Sequence, residues 1–485
     1  MRLFEIAVLV GLAGSVVALA LRRGGAFSWF TLVVALTTIT VLLHFALEGG
    51  RWQMAPAYAA TLVVLALALA FAYGAAPLPL RWLAPTGIGV LAATLTASFL
   101  STALPVFTLP APQGPYAIGT RIQHLVDPAR REPSGPDRNA PRELMVQIWY
   151  PADPAASEPI ARYRERQATT LRGARFSLVQ THARMDAPAL AGKDPFPVLI
   201  YVPSWIGVRT ENTALIEQLV SEGYVVAGID HPYGSETVVF PDGRIVGTRL
   251  DKIGGYSSDA SFRRFIAIAE AEQTLRAQDA SFVLSTLTAL NADGSGDRLA
   301  GRLDLARVGI FGFSFGGGVA VEAAASDRRF KAGIDMDGMR VGESAVTGPP
   351  VPFLYMLEDY DPRPEAISDP RRRREVAFDR SQIDELYRIL DRRGGYLLKI
   401  KRTLHNNFSD TQLYSPFHVN PELGEVAPRL AEHIISDYTL AFFDRYLRGI
   451  DRRLLDDAPH ETQALAFRRY DARQTAPERD DSPED

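Results

Sequence analysis

The run Gly312-Phe313-Ser314-Phe315-Gly316 directly follows an apolar, β-type segment, RVGIFGF, and opens an Ala-rich helical stretch. A serine on a sharp strand-to-helix turn projects its hydroxyl away from the backbone, and flanking glycines remove side chains that would strike neighbouring main chain. Gly312 and Gly316 take the elbow positions, and Gly317 and Gly318 extend the close packing. A helix start at this point also favours negative charge developing on an attacked carbonyl oxygen. A GxSxG string alone recurs by chance; its strand-turn-helix setting is what points to acyl transfer with Ser314 as nucleophile.

A serine hydroxyl needs a base to take its proton, and the chain order in this class of site is serine, acid, histidine. His405, in TLHNNFSD just past the segment YLLKI, fits the base. His418, His433 and His460 also follow Ser314 but lie in or near the C-terminal helical region, where surface or packing roles are the ordinary expectation. Spacing alone leaves the acid open. Asp337 follows FKAGIDM, whereas Glu358, Asp359 and Asp361 follow PFLYML, and either strand end can bring a carboxylate to the histidine. Asp335, two positions before Asp337, shares its face if the strand continues. Acidic residues at strand ends are otherwise common as turns and caps.

Elements that must position these groups can be read from hydrophobic pattern. Short apolar or β-branched runs at residues 144–150, 197–203, 224–230, 307–313, 330–336, 352–357 and 396–400 alternate with helical patterns at 212–222, 261–290, 316–326, 381–392 and 427–447. Several runs are continuously apolar, as when helices cover both faces of a parallel sheet. This order predicts a doubly wound, mostly parallel α/β domain of the α/β-hydrolase fold over residues 143–450.

Four apolar stretches precede it, at residues 3–21, 27–47, 57–76 and 87–104. Each approaches the ~20 residues that cross ~30 Å of hydrocarbon, so residues 1–107 read as a transmembrane helical region. The first stretch resembles a secretory signal ending in Ala18-Leu19-Ala20, but three further spans follow directly, which favours retained helices. Arg22, Arg23 and Arg81 place the first and third connections in the cytoplasm and the catalytic part outside it. His44 lies within the second span with no intramembrane acid or base beside it in the sequence, and reads as an interhelical hydrogen-bonding residue. Residues 108–142, rich in Pro, Gly and Arg, read as a linker, and residues 451–485 as a partly disordered acidic tail.

The whole chain of 485 residues carries a net charge of -4 and scattered Lys and Arg, which excludes the basic stripe that nucleic acid requires. With no cysteine there is no disulfide, thiol nucleophile or thiolate metal site. Neither a GxxxxGK loop nor a GxGxxG turn is present, and Asp230-His231 has no partner at metal-ligand spacing, so neither cofactor nor metal is expected.

Several separate blocks resemble the platelet-activating-factor acetylhydrolases, over roughly residues 144–447. RVGIFGFSFGGGVAVEAAASDRRFKAGIDMDGM is similar to that family's elbow, helix and following strand, and HNNFSD to its histidine loop. PVLIYVPSWIGVRTENTALIEQLVSEGYVVAGIDHPYGSE resembles its early strand and oxyanion loop, and the helix containing Arg276-Ala277-Gln278-Asp279 also has a counterpart. The resemblance implies a metal-independent serine hydrolase that releases short or oxidised acyl groups from the sn-2 position of phospholipids. It implies Asp337 as the acid, His405 as the base, and the backbone amides of Trp205 and Phe315 as the oxyanion hole. This chain departs from the family pattern at Pro203-Ser204, where members commonly carry His-Gly, and in its four apolar helices. The alternatives are a general or dienelactone-hydrolase-like esterase on soluble esters, and a membrane-anchored domain that keeps the fold without catalysis.

Overall fold

The computed structural model describes residues 1–21, 29–73, 80–168, 173–192, 194–254, 256, 258–417, 420–456 and 460–472. The chain forms two compact units, one of residues 1–109, 162–180 and 413–420, the other of residues 110–161, 181–412 and 421–485.

In the first unit, α1 (Leu3–Ala20), α2 (Trp29–Leu43), α3 (Ala55–Ala72) and α4 (Leu80–Ala103) are apolar on nearly every face. With their flanking turns, four described segments, Leu3–Ala20, Trp29–Glu48, Trp52–Ala72 and Trp82–Ala103, are long and apolar enough to cross a membrane. Hydroxyls along them bond back to the preceding turn, as buried Thr61 does to Ala57 O at 2.9 Å and buried Thr94 to Val90 O at 2.7 Å, so both are paired within their own helix. Arg22 and Arg23, used for orientation, lie outside the described residues.

His44 makes an interhelical hydrogen bond, as the sequence suggests, to Tyr58 of α3, but it has an acid beside it. Its Nδ1 pairs with Glu48 at 2.9 Å and Nε2 with the Tyr58 hydroxyl at 2.8 Å. Glu5, sequence-distant and so invisible to a local reading, is buried beside them and takes a fork from Arg51 at 2.7 and 2.8 Å. Arg51 also donates to Leu104 O at 2.6 Å, tying α1, the α2–α3 connection and the end of α4 together.

The second unit is built on a sheet whose described strands are β1 (Ala117–Arg131), β2 (Pro141–Ala152), β3 (Ile160–Arg162), β4 (Gln180–Met185), β5 (Phe196–Val202), β6 (Val225–Asp230), β9 (Leu303–Phe313), β10 (Phe330–Met336), β11 (Phe353–Leu357), β12 (Gly395–Ile400), β13 (His460–Glu461) and β14 (Leu465–Tyr470). A separate hairpin joins β7 (Thr237–Val239) to β8 (Ile245–Gly247). The sheet order is β13-β14-β12-β11-β10-β9-β5-β6-β2-β1-β4-β3. Its centre, β6-β5-β9-β10-β11-β12, is parallel throughout. Crossover helices α5 (Thr213–Ser221), α6 (Asp259–Asn291), α7 (Phe315–Ser326), α8 (Ser344–Thr347), α9 (Pro370–Arg393) and α10 (Pro428–Phe443) accompany it. Two buried clusters result: Val198, Ile200, Ile310, Val319 and Ala320 in one, and Leu199, Phe311, Ile334, Leu398 and Phe442 in the other. Alternate residues of β5 and β9 thus feed opposite faces, as the period of two requires.

Two stretches read as irregular are ordered strands. Residues 117–131, expected within a linker, pair antiparallel with β2 over nearly their whole length. The Pro- and Gly-rich flanks hid this, because the run AIGTRIQHLV between them carries the pattern. Residues 465–470, expected in the tail, add an antiparallel strand to β12. The acidic segment from residue 473 onward lies outside the described residues.

Candidate active site

The elbow is built by backbone constraint. Ser314 has φ 57 and ψ -125, a left-handed conformation that costs a non-glycine residue about 1–3 kcal/mol. The surroundings hold it there. Its N–H donates to Met336 O at 2.9 Å, and its carbonyl accepts from Gly317 N–H at 2.9 Å. A Cβ at Gly316 would lie 2.1 Å from Val202 O, and one at Gly312 would lie 2.1 Å from Gly316 O. Neither position admits alanine without moving main chain.

Asp337 follows β10, also at positive φ (55), with its N–H on Met356 O at 2.9 Å. His405 follows β12 in a loop pinned by Asn407, whose Oδ1 accepts from Leu404 N–H at 2.9 Å and Gly424 N–H at 2.8 Å. These three strand ends bring the side chains into one line: His405 Nε2 is 2.8 Å from Ser314 Oγ, and His405 Nδ1 is 2.6 Å from Asp337 Oδ2. Burial works against the imidazolium, but the hydrogen bond and charge of Asp337, with Glu358 and Glu422 beyond it, outweigh this and push His405 up to about 9.

The other residues weighed for these roles do not join this line. Asp359 accepts from Arg402 N–H at 2.8 Å, and Asp361 is exposed and paired with Arg363 at 2.9 Å. Asp335 is buried beneath the elbow on Arg340 at 2.6 Å. Glu358 donates its backbone N–H to Asp337 Oδ1 at 3.0 Å, and burial followed by the Asp337 charge raises its carboxyl to about 8. Of the other histidines, His433 is exposed and pairs with Asp437 at 3.3 Å, His460 meets the Tyr438 hydroxyl at 2.9 Å, and His418 lies outside the described residues.

Ser314, Asp337 and His405 line a cavity of about 740 Å³, together with Trp205, Phe265, Leu357 and Phe378. The rings of Trp205 and Phe315, whose amides the resemblance nominates, meet edge to face at 4.7 Å. Sequence reasoning passed over one acid beside this cavity, Asp379, which burial raises to about 6. Asp379 lies before the helical pattern read from residue 381, in the part of α9 (Pro370–Arg393) that the pattern missed.

Two other groups could suggest a metal. Donor atoms of Glu5, His44 and Glu48 lie within 4.8 Å of one another, but Arg2, Arg51 and Tyr58 already engage them. In the Asp230-His231 pair, Asp230 is bonded to Arg209, and His231 Nδ1 donates to Asp279 at 2.8 Å. Burial pulls His231 down to about 4, which leaves it a neutral donor inside a buried ion network with Arg142.

The model of the family described as platelet-activating factor acetylhydrolase, isoform II, matches residues 108–453. The platelet-activating factor acetylhydrolase of Cavia porcellus is 24% identical over 388 residues, spanning 74% of this chain and 82% of its own. A probable 1-alkyl-2-acetylglycerophosphocholine esterase of Arthroderma benhamiae is 25% identical over 293 residues, 55% of this chain and 69% of its own. Among solved structures, the ferulic acid esterase of Streptomyces cinnamoneus superposes with a TM-score of 0.58 at 28% identity, covering 75% of this chain and 99% of its own. With a doubly wound sheet, an elbow serine in line with a histidine and an acid, and a family match over most of its length, this chain belongs to the platelet-activating factor acetylhydrolase isoform II family and is a carboxylic ester hydrolase.

Proposed function

We propose that this chain is a membrane-anchored serine esterase that removes a short or oxidised acyl group from the sn-2 position of a phospholipid. The observation that carries this reading is the hydrogen-bonded line Ser314–His405–Asp337 along a largely apolar cavity. Ser314 Oγ attacks the ester carbonyl while His405 Nε2 takes its proton, and the Asp337 carboxylate orients the imidazole and stabilises the imidazolium. The amides of Trp205 and Phe315 receive the oxyanion. His405 then returns the proton to the leaving alcohol, and water, activated by the same nitrogen, releases the acyl group. The substrate class is supported by the names of the relatives from Cavia porcellus and Arthroderma benhamiae. The apolar helices anchor the chain in the bilayer, and Arg22, Arg23 and Arg81 favour an extracytoplasmic catalytic unit.

A second reading, an esterase of soluble aromatic esters, is favoured by one observation. Rings of Trp205, Tyr256, Phe262, Phe265 and Phe378 line the cavity, and the similar structure from Streptomyces cinnamoneus is named a ferulic acid esterase.

Hydrolysis by the full chain in phosphatidylcholine vesicles separates the two. Substrates carry acetyl, butyryl, glutaroyl or palmitoyl at sn-2, with methyl ferulate in parallel and Ser314→Ala as control. The phospholipid reading expects short and oxidised chains to exceed palmitoyl by at least about tenfold in kcat/KM. Turnover of methyl ferulate alone would establish the second reading, and no turnover of any ester would remove both.

A further inference from the structure

The backbone of the proposed oxyanion loop is gripped from two sides by charged side chains outside the triad. Glu211 accepts from Ser204 N–H through Oε2 at 2.9 Å and from the Ser204 hydroxyl through Oε1 at 2.8 Å. Arg276, fully buried on α6, donates Nη1 to Ser204 O at 3.1 Å and Nη2 to Trp205 O at 2.7 Å. Gly207 N–H donates to Ser204 O as well, at 3.1 Å.

Peptide geometry turns this grip into a statement about catalysis. Ser204 C=O and Trp205 N–H belong to one planar, trans peptide unit, so they point in opposite directions. Fixing the carbonyl on Arg276 therefore fixes the direction of the Trp205 N–H. A cationic donor on the carbonyl also polarises the unit and strengthens that N–H as a donor. The same guanidinium lies 5.0 Å from the centroid of the Phe315 ring and 5.8 Å from that of Trp205, so it contacts both residues whose amides are nominated. Space for it is made by Gly234, where a Cβ would come 2.7 Å from Nη2. Glu272 Oε2, 3.4 Å from Nε, secures the guanidinium from its own helix. Ser204 is also the position where this chain departs from His-Gly, and its hydroxyl is what gives Glu211 a second hold.

We propose that Arg276 and Glu211 are positioning residues for the oxyanion hole: together they clamp the Ser204–Trp205 peptide so that the Trp205 N–H is aimed at the developing oxyanion. This rests on the esterase reading above and on Trp205 as an oxyanion donor.

The test uses the full chain, with kcat and KM measured on a short-chain ester and Ki on a trifluoromethyl ketone, whose adduct with a serine demands the same hole. Arg276→Met should lower kcat about 10²–10³-fold while KM stays within about threefold, and Ki for the ketone should rise by the factor lost in kcat/KM. Glu211→Gln should show the same split at about tenfold, and the double variant should lose little beyond Arg276→Met because both act on one peptide. Should Arg276→Met fail to accumulate, Arg276→Lys, which keeps the charge but lacks the fork, and Glu211→Gln decide the matter. Folded variants with unchanged kcat and Ki, or with raised KM alone, overturn the clamp. An unmodified chain that hydrolyses no ester overturns the esterase reading itself and the clamp with it.

Discussion

Both oxygens of the Asp337 carboxylate are engaged: Oδ2 lies 2.6 Å from His405 Nδ1, and Oδ1 accepts the Glu358 backbone N–H at 3.0 Å. The second bond sets the plane of the carboxylate, and so the line along which the imidazole must lie. Asp337→Asn should preserve the fold but disfavour the tautomer that accepts the serine proton, reducing kcat by up to about 10⁴-fold. Asp359→Asn and Asp361→Asn, which alter bonds to Arg402 and Arg363, should leave kcat within about twofold. Steady-state kinetics on the three variants checks this; a crippled Asp359 or Asp361 variant would move the acid to the end of β11.

Ser314→Ala and His405→Ala should each lower turnover by at least about 10³-fold, and the double variant should be scarcely worse than either. The 2.8 Å contact between them is the reason: neither group has work to do without the other. Multiplicative losses would show that the two act in separate steps.

The pH profile follows from the sign of the His405 shift. The imidazole acts as base only when neutral, and its value is raised from 6.5 to about 9, so kcat/KM should climb as pH rises through a value well above 6.5. Removing the carboxylate removes what holds the proton, so Asp337→Asn should carry this limb to lower pH while lowering the plateau. Rates from about pH 5 to about pH 10 at fixed ionic strength test both points. An acid limb below 6.5 in the unmodified chain would contradict the geometry.

Gly316→Ala tests the elbow from its neighbour. An alanine inside a helix ordinarily stabilises by up to about 1 kcal/mol relative to glycine. Here the new methyl would lie 2.1 Å from Val202 O and 2.6 Å from Pro203 O, so the strand end before Ser204 must yield. Overpacking of about 1–3 kcal/mol should win, lowering Tm and kcat together. A variant with raised Tm and full activity would show that the β5 end moves freely.

Which parts of this site were legible follows from how local their signals are. The place of Ser314 on a strand-to-helix turn was readable because an elbow is a contiguous five-residue pattern with a strand before it and a helix after it. That His405 would be the histidine brought to Ser314 was readable from chain order. The acid was not settled by spacing, since Asp337 and Asp359 both end central strands; what separates them is that Asp337 adopts a left-handed turn toward the histidine loop while Asp359 meets the backbone of Arg402. Arg276 and Glu211 were unreadable as a pair because their common partner, Ser204, lies 72 residues from one and 7 from the other.

The elements show the same division. The parallel central strands are continuously apolar and stood out, whereas β1 and β14 sit outside the parallel core and mix polar with apolar residues. Helix α9 begins at Pro370, eleven residues before the pattern from 381 suggested, because the run of four arginines in its first turns masks the periodicity carried by Val376.

The helical unit is not assembled from consecutive residues. Phe107 packs against Tyr163 at 5.2 Å and Tyr414 at 5.1 Å, and Ser415 Oγ donates to Ala103 O at 2.7 Å across 312 residues of sequence. Chains leave the ribosome N-terminal end first. The four helices are therefore made before the sheet, yet their unit lacks two of its segments until residue 420 has been translated. A nascent chain halted after Ser314 would hold all four helices and most of the large sheet, with the aromatic seat around Phe107 still waiting for Tyr414.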